Sequence, residues 1–232
     1  MRLGLFGKLH AKRDFIAVST PRAFLNCWEP WLQGAMSASR HALGDAWQPA
    51  FLEAPIWRFW LGPALCGVPV LGAMMPSIDG VGRYYPLTLI ACDPDVPSGT
   101  PAIPPPEHNA QDAWFAEAEA LLFDTLDPNR PFEHTTAALE ALSHPETAPV
   151  LAGPLEPAYG GVVTAEGDPT QFDVGTSFAQ LRAGAWPLQQ AGLTCWWTAG
   201  GAGYPPRAAT FAGMPDPYFL TGVLTGRFAG SS

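Results

Sequence analysis

Apolar positions along the chain switch between two periods. Residues 2–9 (RLGLFGKL) form an apolar run that ends near a glycine turn, which predicts a first strand. Thr20-Pro21 supplies a helix start, with threonine as the capping residue and proline in the first turn. Phe24, Trp28, Trp31 and Leu32 then recur at spacings of four, three and one, which marks one face of a helix. Pro30 interrupts that face and predicts a kink or a division, with a second helical piece over 36–43. Residues 56–62 (IWRFWLG) read as an aromatic strand. Trp57, Phe59 and Leu61 share one side of it; Ile56, Arg58 and Trp60 share the other. Two further strands are predicted over 68–75 (VPVLGAMM) and 84–92 (YYPLTLIAC), with Pro86 at a sheet edge or at the start of the regular strand.

The second half returns to the helical period. Residues 110–126 (AQDAWFAEAEALLFDTL) give the clearest helix, with Trp114, Leu121, Leu122 and Thr125 near one face and glutamates opposite. A shorter helix is predicted near 132–142, after Pro131. TQFDV (170–174) reads as a strand, 177–191 as a helix, LTCWWTA (193–199) as a strand and GGAGYPP as a flexible loop. Strands and helices are interspersed throughout, which predicts an α/β domain with helices packed on a mixed sheet. No repeat or change of fold type divides the chain, so 1–232 is expected to be a single domain. Prolines 94, 97, 101, 104, 105 and 106 make 94–106 a stiff surface connector within it.

Composition supports a large interior. Hydrophobic residues make up 47% and charged residues only 14% of the chain, with nine tryptophans and thirteen phenylalanines. A chain of this size buries roughly 70% of the surface its unfolded form exposes. The net charge of −9 disfavours nucleic acid and anionic membranes as partners. Charge is unevenly placed. Residues 1–40 carry a net +4, leaving −13 on the remainder, so Lys8, Lys12 and Arg13 form a candidate basic strip for an acidic or phosphorylated partner. Four separated cysteines, each in an apolar context, read as reduced thiols of a cytoplasmic protein. No apolar run approaches the ~20 residues of a membrane span.

Catalytic motifs fail on inspection. GLFGKL lacks the glycine of a phosphate loop at Arg2 and its hydroxyl at Leu9. In GGAGYPP the third glycine of a dinucleotide fingerprint falls on Pro206. DVGTSFAQL imitates a nucleophile elbow around Ser177, but the last histidine is His144 and none follows the serine. The five histidines form no metal-ligand pair. Neither a catalytic residue, a metal nor a cofactor is expected.

One loop holds the remaining candidate chemistry. In MMPSIDGVGRYYPLTL (74–89), Ser77, Asp79 and Arg83 lie within seven residues between two apolar runs. Asp79-Gly80 is a turn signal, Gly82 adds a second flexible point, and Arg83 is spaced to fold back onto Asp79. The expected role is a clasp that fixes a long hairpin connection. The alternative is a small-molecule or nucleotide-binding protein or enzyme that uses a pocket around Arg58, Ser77, Asp79 and Arg83.

GLFGKLHAKRDF, PRAFLNCWEPWL, APIWRFWL, PSIDGVGRYYPLTL, CWWTAGG and FAGMPDPYFLTGVL, in that order, resemble the TagF family of type VI secretion-associated proteins from about Leu5 to Leu224. The segments at Trp57–Phe59 and Pro76–Leu87 are the most specific, which marks Trp57, Arg58, Ser77, Asp79, Gly82 and Arg83 as signature and candidate interaction residues. The family opening usually reads GKLPARGDF; here His10, Lys12 and Arg13 replace its proline, arginine and glycine. Some relatives carry a fused PP2C-type phosphatase module, which is not expected in a chain ending at Ser232. The resemblance implies a three-layer α/β/α sandwich. It also implies a cytoplasmic, non-enzymatic repressor that restrains type VI secretion after translation, through the forkhead-associated scaffold protein.

Overall fold

A computed structural model describes residues 1–95, 101–149, 163–166, 172–184, 192–201 and 203–228. Its centre is an eight-stranded sheet built from β1 (Arg2–Gly7), β2 (Ile16–Val18), β3 (Trp57–Leu61), β4 (Val70–Met75), β5 (Leu87–Cys92), β6 (Val163–Glu166), β7 (Leu193–Thr198) and β8 (Arg207–Ala212). The strand order is β2-β1-β5-β4-β3-β7-β8-β6. Helices α1 (Arg22–Leu43), α2 (Trp47–Glu53), α3 (Pro63–Cys66) and α7 (Phe219–Thr225) cover one face. Helices α4 (Asp112–Asp124), α5 (Phe132–Ala141) and α6 (Val174–Gly184) cover the other. The α/β fold with helices on both faces is therefore as expected. Strand direction differs in detail: every described ladder is antiparallel rather than mixed. Periodicity specifies which residues share a face, not the direction of the neighbouring strand.

Burial on both faces explains the near-continuous apolar runs. On β3, Trp57, Phe59 and Leu61 pack with α1, α2 and α7, while Trp60 packs beneath α4. Trp28 of α1 lies on the sheet, stacked on Phe59 with ring centroids 4.4 Å apart and on Trp196 at 5.7 Å. Opposite Phe59 in the ladder stands Gly72, where a Cβ would come within 2.3 Å of the Phe59 ring. Only glycine leaves room for that aromatic layer.

Helix α1 runs unbroken through Pro30, so the expected division at that residue is corrected. Trp28 and Trp31 on either side are both buried, and their indole N–H groups donate to Thr88 Oγ1 (3.2 Å) and the Pro215 carbonyl (2.8 Å). Tertiary anchoring on both flanks offsets the roughly 3 kcal/mol that an internal proline costs a helix. Thr20 does not cap α1. Its hydroxyl hydrogen-bonds the carbonyls of Leu5 and Val18, tying β1 to β2, and the helix begins after Pro21. Pro86 precedes the regular β5, as one of its two readings required.

The predicted strand over 170–174 is not formed where it is described: Phe172 and Asp173 are irregular and Val174 opens α6. Its first two residues, positions 96–100 of the proline-rich connector and residues 185–191 of the predicted helix lie outside the described residues.

Candidate functional site

The 76–83 loop joins β4 to β5 and meets the 8–15 segment that joins β1 to β2. Asp79 is the hinge of that meeting. It is only 1% exposed, and its carboxylate accepts four hydrogen bonds. Lys8 Nζ and Arg83 Nε each donate to Oδ2 at 2.7 Å. The N–H groups of Val81 and Arg83 donate to Oδ1 at 3.0 and 2.9 Å. Burial alone would raise the Asp79 pKa. The Lys8 ammonium, together with the backbone and guanidinium of Arg83 and the Val81 N–H, outweighs it and holds the carboxyl well below the usual carboxylate range.

Backbone bonds complete the closure. Asp79 N–H donates to the Arg83 carbonyl (3.1 Å), Gly82 N–H to that of Asp79 (3.0 Å) and Tyr85 N–H to that of Ser77 (3.0 Å). Gly82 has φ +86°, a left-handed conformation that favours glycine. Two bonds cross to the amino-terminal segment. Gly80 N–H donates to the Lys12 carbonyl (2.9 Å), and Arg83 Nη2 donates to the Arg13 carbonyl while lying 3.6 Å from the Asp14 carboxylate. Phe15 rests edge-on against Tyr85 at 4.7 Å, with the Lys8 ammonium 5.1 Å from its ring centre. Arg83 thus turns its Nε onto the clasp while its side chain stays half exposed. The two loops are joined around the buried Lys8–Asp79 ion pair, with Arg83 covering it from the surface.

The predicted pocket residues do not converge. Arg58 leaves β3 on the opposite helical layer, where Nε donates to Glu119 (2.5 Å), Nη1 to Asp112 (3.3 Å), and the guanidinium lies over Phe115 at 4.7 Å. Ser77 is buried and lines a cleft that Arg58, Asp79 and Arg83 do not line. A shared binding pocket of these four residues is therefore corrected: charge pairing divides them between two structures. Trp57 is fully buried, edge-on to Phe219 at 5.7 Å. Lys8 also leaves the proposed surface strip, because its ammonium is sealed against Asp79. Of that strip Arg13 is exposed, and the Lys12 ammonium sits 4.1 Å above the Phe132 ring.

Reading the sequence missed Lys8 as the partner of Asp79, 71 positions away. The imitation elbow resolves into an ordinary helix, in which Ser177 Oγ donates to the Asp173 carbonyl at 2.8 Å. Among the described residues no cluster of three or more His, Cys, Asp or Glu could hold a metal ion, and no helix is long and apolar enough to cross a membrane.

These features define a three-layer α/β/α domain on an antiparallel sheet, with its central connection locked by buried ions. Residues 4–142 match the family described as the TagF N-terminal domain, type VI secretion system-associated, and the chain belongs to that family. It is similar to PA0076 from Pseudomonas aeruginosa PAO1, known from a crystal structure. The two are 29% identical, with a TM-score of 0.73 over 97% of this chain and 95% of that one. None of the curated proteins compared with the chain matches it.

Proposed function

We propose that the chain is a cytoplasmic, non-enzymatic repressor of type VI secretion that acts after translation by binding the forkhead-associated scaffold protein. The observation that carries this reading is where the family signature sits in the fold. Ser77, Asp79, Gly82 and Arg83 build a closed clasp whose charged groups are satisfied by one another. Such a cluster has no group left to take or deliver a proton, since Asp79 stays ionised and bonded through the whole neutral range. What it can do is hold a surface, with exposed Phe15, Val81 and Arg13, in one shape. Preorganised surfaces of this kind suit protein recognition.

Deleting the gene in a strain that assembles the apparatus should raise secretion, and extra copies should silence it without lowering the amounts of the structural components. Unchanged secretion in the deletion strain would overturn the proposal.

A further inference from the structure

At one end of the sheet, where β3 begins and β4 and β7 end, the two helical layers leave an open cleft of about 450 Å³ between α2 and α4. Among the described residues six large apolar side chains are exposed, and three of them line this cleft: Leu52 (49%), Phe123 (57%) and Leu126 (53%). Exposed apolar residues scattered singly are ordinary, but three gathered on one concavity mark a contact site. Because they stand half in water at the rim, an occupant must spread across the opening to cover them. An enclosed small molecule would leave them wet; a chain segment would not.

The electrostatics select the kind of segment. Helices α2 and α4 both end at the cleft, the first at Leu52 and Glu53, the second next to Leu126. Neither helix has a basic residue in its last turn; the last carbonyls of α4 accept from Thr125 and Leu126 and its Asp124 pairs with Arg130, so of the two carbonyl ends it is that of α2 that turns partial negative charge to the cleft. Glu53 and Glu119 add carboxylates, and no described lining residue is lysine or arginine; His10 is the single titratable base. Glu119 is already bonded to Arg58, which leaves the exposed Glu53 as the principal anion.

We infer that this cleft docks a segment of a partner protein that places apolar side chains among Leu52, Phe123 and Leu126 and a lysine or arginine beside Glu53. The inference rests on the reading of the chain as a protein-binding regulator and adds to the clasp face a second contact surface.

The test uses the intact protein and two fluorescein-labelled peptides, Gly-Lys-Leu-Leu-Arg-Gly and its acidic counterpart Gly-Glu-Leu-Leu-Glu-Gly, read by anisotropy. The basic peptide should bind about tenfold or more tighter, and its affinity should fall as salt rises from about 50 to about 300 mM. Glu53→Lys and Phe123→Ser, both at exposed positions, should each weaken it about tenfold while melting as the wild type does. Equal binding of the two peptides, binding of neither, or indifference to both substitutions overturns the inference. Capture of the forkhead-associated scaffold separates the two readings. If wild type and the double variant capture it equally, the cleft assignment falls and the regulator stands. If the wild type captures none while the basic peptide still binds, the regulator falls and the cleft stands.

Discussion

Replacing Asp79 by alanine should cost more than any other single substitution in the signature loop. The change leaves the Lys8 ammonium, 7% exposed, without the carboxylate 2.7 Å from it. It also strips the N–H groups of Val81 and Arg83 of their acceptor. Removing one partner of a buried ion pair costs about 3–5 kcal/mol. In a chain of this length each kcal/mol shifts the melting temperature by about 2–4 °C. Calorimetric or circular-dichroism melts at neutral pH should therefore show Tm lower by about 6–20 °C. The double variant Lys8→Met/Asp79→Leu removes both charges together and should recover at least half of that loss. The pH dependence follows from the sign of the Asp79 shift. Its carboxyl titrates below the usual range when folded, so its contribution is complete above the unfolded pKa of about 4 and is lost as pH falls through the folded value. The Tm gap between wild type and Asp79→Asn should stay constant from about pH 5 to about pH 8 and narrow in stronger acid. Asp79→Ala melting within about 2 °C of wild type, or a double variant less stable than the single, would show that the buried ion pair does not hold the clasp.

Three further outcomes follow. Gly72→Ala should lower stability by about 1–3 kcal/mol in chemical denaturation, since its Cβ would fall 2.3 Å from the Phe59 ring and 2.7 Å from the Leu89 carbonyl oxygen. A hydrogen bond from Cys66 lowers the Cys27 pKa to about 7, so iodoacetamide at neutral pH should label Cys27 first among the four free thiols. Cys66→Ala should slow that labelling, as read by mass spectrometry. Charge reversal at Lys12 and Arg13 should weaken scaffold capture in a salt-dependent way, whereas Lys8→Glu should act by unfolding the clasp; melts of each variant separate the two effects.

The central strands were legible because both of their faces are buried. The alternation at Trp57, Arg58, Phe59 and Trp60 names the two helical layers correctly. The closing of the 76–83 loop was also legible, since Asp79 and Arg83 are four residues apart and meet locally. Its partner Lys8, just past β1, was not, because nothing in the local pattern distinguishes a lysine that follows a buried strand from one on a solvated edge. Strands β2, β6 and β8 escaped notice for a related reason. The first two span three and four residues, and β8 (RAATFA) offers alanines where a strand signal needs branched or aromatic residues. Pro30 misled because its intrinsic cost is local, while the packing that offsets it comes from the sheet and from Pro215. The cleft between α2 and α4 was invisible in the sequence: its lining comes from several elements that only the fold brings together.

The most direct test is equilibrium binding of the purified chain to the purified forkhead-associated scaffold, measured by titration calorimetry with no nucleotide or metal added. A saturable complex is expected, and Asp79→Ala should weaken it in step with its loss of stability. Absence of heat and of co-elution across the soluble concentration range, with a correctly folded chain, would contradict it.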